Sequence, residues 1–103
     1  MEAALTGPDG SRTVTCYVVA ETTPGEWRAR SFGTDLAGGE DPATGSAAGP
    51  LGAWLKANTR MTTVTITQGV EMGCPSVLRV DTSAGVVVSG KVQFVGEGVL
   101  TLP

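Results

Sequence analysis

The chain has 103 residues, enough for one domain around a single core and too few for a second. Hydrophobic residues make up 41% and charged residues 17%, which excludes the charge-rich, apolar-poor composition of a disordered chain. Seven basic against ten acidic residues give a net charge of −3 with no Lys/Arg cluster, so no nucleic-acid partner is expected.

The acidic start Met1-Glu2 is unlike a signal sequence, and no apolar run approaches the roughly 20 residues of a membrane span. No membrane association is expected, and the location is read as cytoplasmic. Thr13 to Ala20 is rich in β-branched residues and reads as a strand ending before the turn Thr23-Pro24-Gly25. Within it, Cys16 is one of only two cysteines; with Cys74 and no histidine, the sequence lacks the ligands of a structural zinc site and every His-based proton shuttle.

A second strand, Glu26 to Phe32, is expected to pair with the first as a hairpin. Its alternation places Trp27, Ala29 and Ser31 on one face and Arg28, Arg30 and Phe32 on the other. Trp27 reads as core. The arginines can reach a carboxylate or simply form a solvated face. Gly33 to Gly45 has no apolar period and reads as a loop of functional length.

Ser46 to Asn58 is the one predicted helix. Leu51, Trp54 and Leu55 form its apolar stripe, with Ala47, Ala48 and Ala53 allowing close packing. Pro50 removes a backbone hydrogen bond from any helix that starts before it, which predicts an irregular first turn or a kink. Strand-like runs follow at Thr62 to Gln68, Val77 to Asp81, Gly85 to Ser89, Lys91 to Val95 and Val99 to Leu102, and Glu71 reads as an exposed turn residue. Seven short strands and one helix predict an α+β domain, a barrel-like, mainly antiparallel sheet wrapped on one central helix.

The chemistry concentrates in Gly39-Glu40-Asp41-Pro42-Ala43-Thr44-Gly45-Ser46-Ala47. Carboxylates, hydroxyls and a glycine sit where the first amides of a helix lack internal partners and the macrodipole is positive, so a small carboxylate can dock there. The competing reading is a plain helix start. Asp41, Thr44 or Ser46 can each cap, and local chemistry alone favours capping because caps are common and anion sites are rare.

Residues 40 to 47, Glu-Asp-Pro-Ala-Thr-Gly-Ser-Ala, resemble the signature of the PhzF family of phenazine-biosynthesis isomerases. Arg28 to Phe32, Gln68-Gly69 and Val86 to Gly90 resemble its flanking segments, so the likeness runs from residue 26 to 103. It implies one lobe, the carboxyl-terminal one, of the diaminopimelate-epimerase-like fold. It also implies cofactor-independent proton transfer on a small carboxylate-bearing or hydrophobic metabolite, with no metal, pyridoxal phosphate or nucleotide. Asp41 would take the acid/base role, and Gly45 and Ser46, with Thr44, would bind the substrate.

The family's principal glutamate and its Gly-His pair belong to the other lobe and have no counterpart here. Cys74 stands where the resembling turn usually carries Arg. Activity is therefore expected only when a homodimer or a complementary amino-terminal lobe completes the cleft. The alternatives are a module that binds or sequesters a small molecule, or an inactive truncated product. Related two-thiol epimerases suggest Cys16 and Cys74 as an acid/base pair, but their positions do not match, and they read as small hydrophobes.

Overall fold

A computed structural model describes residues 15–33 and 36–103 of the chain. Strands β1 (Thr15–Thr23) and β2 (Glu26–Gly33) form the expected hairpin, with the turn closed at Gly25, φ +82°. Thr13 and Val14 of the predicted first strand, and Asp35 of the predicted loop, lie outside the described residues. The described part of that loop, residues 36–45, is more regular than its composition suggests. It holds a 3-10 turn at Ala37–Gly39 and a two-residue strand β3 (Glu40–Asp41) paired antiparallel to β2.

Helix α1 (Gly45–Asn58) returns the chain to β4 (Thr63–Gln68), which lies parallel to β2; β5 (Ser76–Asp81) and β6 (Val87–Gly90) then add antiparallel. The six-stranded sheet has the order β1-β2-β4-β5-β6, with β3 beside β2. The α+β class and the largely antiparallel pairing hold. The barrel does not: the sheet is open, with β1 and β6 at its edges, and α1 packs mainly on β4, β5 and β6. Closure would require a strand joining those two edges.

Alternation along β2, β4 and β5 buries Ala29, Ser31, Val64, Ile66, Gln68 and Val80. Ala48 and Leu55 complete the core from α1, and Tyr17, Val19, Trp27, Leu51, Met61 and Leu78 pack around it. The helix keeps only part of the expected stripe: Leu55 is in the core and Leu51 packs against it. Its buried residues are Ala48, Gly49, Gly52 and Leu55, whereas Trp54 is 58% exposed. Small residues win because the helix lies so close to β5 that a Cβ at Gly52 would overlap the Val80 side chain.

Pro50 is likewise accommodated within an unbroken helix that starts one residue earlier than expected, at Gly45. The consequence is local: the Ser46 carbonyl, four residues back, loses the amide that would ordinarily donate to it. Residues 91–103 form no strand, contrary to the expectation of two. Their apolar side chains stand in solvent, among them Phe94 at 74% and Val99 at 97% exposure, because the segment leaves β6 without a neighbouring strand among the described residues.

Candidate functional site

The signature occupies the link from β3 to α1. Register sets its geometry: Asp41 lies opposite Ser31 and Glu40 opposite Phe32. Asp41 and Ser31 therefore share the helix-bearing face, and Glu40 points to the other. On that far face Glu40 accepts two hydrogen bonds from Arg30, at 2.8 and 2.9 Å, while the guanidinium lies 4.8 Å from the Phe32 ring centre. Arg28 pairs with Glu71 at 3.0 Å. Both arginines and Glu71 are thus committed to ion pairs away from Asp41.

Thr44 is the residue before the helix, but no side-chain cap bond forms. Its hydroxyl instead donates to Asp41 Oδ2 at 2.7 Å, and Ala43 N donates to Asp41 Oδ1 at 3.4 Å. Asp41 is not the helix cap, since it belongs to β3, and the start of α1 is left open. Ala48 and Ala47 both donate to the Thr44 carbonyl, at 3.1 and 3.2 Å, so the amides of Gly45 and Ser46 precede the first helical acceptor.

Behind this link sits Gln68, fully buried at the end of β4. Its Nε2 donates to the Asp41 carbonyl at 2.7 Å and to Thr44 Oγ1 at 2.8 Å, and its Oε1 accepts from Thr44 N at 3.3 Å and from the Tyr17 hydroxyl at 3.2 Å. Burial, and secondarily the charge of Asp41, pushes the Tyr17 phenol up to about 12. Tyr17, Ser31, Asp41, Thr44, Ser46 and Ala47 border a cleft of about 350 Å³. The Ser31 hydroxyl is buried there with no partner among the described residues.

The phenazine biosynthesis-like protein family, PhzC-PhzF, matches residues 4–102. The chain belongs to this family. The match extends upstream of residue 26, where the likeness to the segments flanking the signature begins. Trans-2,3-dihydro-3-hydroxyanthranilate isomerases of Pseudomonas chlororaphis and of Pseudomonas fluorescens are each 39% identical to the chain over 85 aligned residues, covering 74% of the chain and 31% of the relative. The chain thus spans about a third of the length of these curated relatives.

Of the site residues expected in this PhzF-type chain, Asp41, Thr44 and Ser46 border one cleft. Gly45 opens the helix beside them, and its nearest obstruction to an added Cβ is Val88 Cγ1 at 4.0 Å. Cys16 is half-buried on β1 and Cys74 is exposed in the turn after β4, so the latter is no core residue. Tyr17 and Gln68 were not among the expected site residues. Gln68 carried a signal, as a polar residue at the third inward position of Val64, Ile66, Gln68; Tyr17 carried none.

Acid should test the far-face pairing. The hydrogen bond from Arg30, with its charge, holds the Glu40 carboxyl below the usual range, and the bonds from Ser83 do the same for Asp81. Their stabilisation is present above the ordinary carboxylate values of about 4 and is lost as pH falls through the lower folded values. Melting temperature should therefore drop below about pH 4. Arg30→Met should flatten part of that drop; an identical acid limb in the variant would show that the pair contributes nothing.

Proposed function

We propose that the chain is a PhzF-type isomerase lobe, the carboxyl-terminal one, that moves a proton on a small carboxylate-bearing metabolite once a second copy or a complementary lobe closes the cleft. One observation carries the reading: Asp41 lines a cleft that also reaches the start of α1, which has no side-chain cap. The amides of Gly45 and Ser46, with the Ser46 hydroxyl, suit a substrate carboxylate, and the unpartnered Ser31 hydroxyl offers a further polar contact. Asp41, with Oδ2 held by Thr44, serves as acid/base. The relatives' names supply the test compound.

Incubated in deuterated solvent with trans-2,3-dihydro-3-hydroxyanthranilate, the assembled protein should exchange a carbon-bound proton of that compound. Binding without exchange would instead support the sequestering module. The Tyr17 phenol, held protonated at neutral pH, favours that second reading in one respect, because it cannot act as the base that complements Asp41. Ser46→Ala should weaken carboxylate binding by about 0.5–1.5 kcal/mol, one neutral hydrogen bond, at unchanged melting temperature. Unchanged binding with a lowered melting temperature would return Ser46 to a structural role.

Completion by a partner rests on residues 91–103 and the open edges. Val92, Phe94, Val99 and Leu102 are each more than 70% exposed, and a chain with such an apolar arm gains by adding it to another sheet. Sedimentation should reveal a dimer that Phe94→Asp with Val99→Asp converts to monomer. A wild-type monomer across micromolar concentrations would leave a separate lobe as the partner.

A further inference from the structure

We infer that Gln68 is the positioning residue of the cleft, setting through Thr44 which oxygen of Asp41 is offered to a ligand. The inference rests on the reading of Asp41 as the ligand-facing carboxylate. The orientation of the Gln68 amide is dictated by its neighbours. Thr44 N can only donate, so the group 3.3 Å away must be the amide oxygen. The Asp41 carbonyl can only accept, so the group 2.7 Å away must be the amide nitrogen.

That nitrogen has a second proton, directed at Thr44 Oγ1 from 2.8 Å. The Thr44 hydroxyl is thereby an acceptor on one side, and its single proton goes to Asp41 Oδ2 at 2.7 Å. The chain of donors runs one way, from Gln68 to Thr44 to Asp41. Oδ2 is occupied by a short bond. Oδ1, with only the long contact from Ala43 N at 3.4 Å among the described residues, is the oxygen with lone pairs to spare for a ligand. The Tyr17 hydroxyl, donating to Gln68 Oε1 at 3.2 Å, closes the far end without being part of the path to Asp41. Because Gln68 is buried and already makes four bonds, it has no other arrangement that leaves its amide satisfied.

Three variants of the 103-residue chain separate positioning from general stability. Thr44→Val keeps the shape and breaks the path. Gln68→Glu keeps the acceptor and removes the amide donors. Tyr17→Phe also deletes one hydrogen bond but leaves the path whole. Three-bond couplings at Asp41 should report one side-chain rotamer in the wild type and in Tyr17→Phe, and averaged rotamers in Thr44→Val and Gln68→Glu, with circular dichroism unchanged.

Affinity for anthranilate, used as a carboxylate probe, should fall about tenfold in the two path-breaking variants relative to the wild type. Should Gln68→Glu fail to fold, Thr44→Val alone decides. A single Asp41 rotamer retained in Thr44→Val, or averaging in Tyr17→Phe as well, overturns the inference. If the wild type does not bind anthranilate but Asp41 is released as described, the positioning role stands and the ligand reading of the cleft falls.

Discussion

Gly69→Ala should destabilise the chain by about 2–4 kcal/mol, the largest loss expected from adding one methyl group anywhere near the cleft. Two costs combine. Gly69 has φ +79°, where an L side chain is strained by about 1–2 kcal/mol. A Cβ there would also run into the backbone carbonyls of Cys74 and Pro42, and neither is the flexible end of a side chain. The Cys74 carbonyl belongs to the turn in which Met72 and Cys74 donate back to the Gly69 carbonyl, and Pro42 belongs to the link that carries Asp41. Relief of the clash therefore opens the turn or displaces the link.

Gly73→Ala provides the control, with φ +73° but open space around the added carbon, so it should show the conformational cost alone, about 1–2 kcal/mol. Urea unfolding of the three proteins measures the difference. Equal losses at the two positions would mean that the close approach of Pro42 to β4 does not matter.

The same contact explains what the sequence could and could not reveal. The hairpin, the alternation of β2 and the single helix were legible because each is a local pattern, in β-branched residues, turn chemistry or helical spacing. The buried face of α1 was legible in part: Leu55 and Leu51 pack as the stripe predicts, but Trp54 is exposed because Gly49 and Gly52 set the approach to β5 and β6. Steric fit between segments distant in sequence decided it. The strands predicted over 91–103 failed for a related reason, since a strand needs a neighbour and alternation alone does not supply one. Asp41, Thr44, Gly45 and Ser46 could be singled out because they lie in one contiguous motif, whereas Gln68 reaches Thr44 across 24 positions of sequence and Tyr17 reaches Gln68 across 51.

The sharpest test of function is Asp41→Asn. The amide is nearly isosteric with the carboxylate, and its Oδ1 can take the place of Oδ2 as acceptor for the Thr44 hydroxyl, so the link should keep its conformation. What it cannot do is accept a proton from carbon. If Asp41 is the acid/base of the assembled cleft, proton exchange into trans-2,3-dihydro-3-hydroxyanthranilate should fall by about 10²–10⁴-fold while the bound fraction changes little. Loss of affinity and rate in parallel would mark Asp41 as a binding group rather than a proton carrier. An unchanged rate would move the chemistry to a group supplied by the completing partner, leaving this chain as the wall that holds the carboxylate. Both outcomes are readable only against Asp41→Ala, which deletes the acceptor for Thr44 as well: an added loss of melting temperature in that variant, and not in Asp41→Asn, separates the architecture of the link from its chemistry.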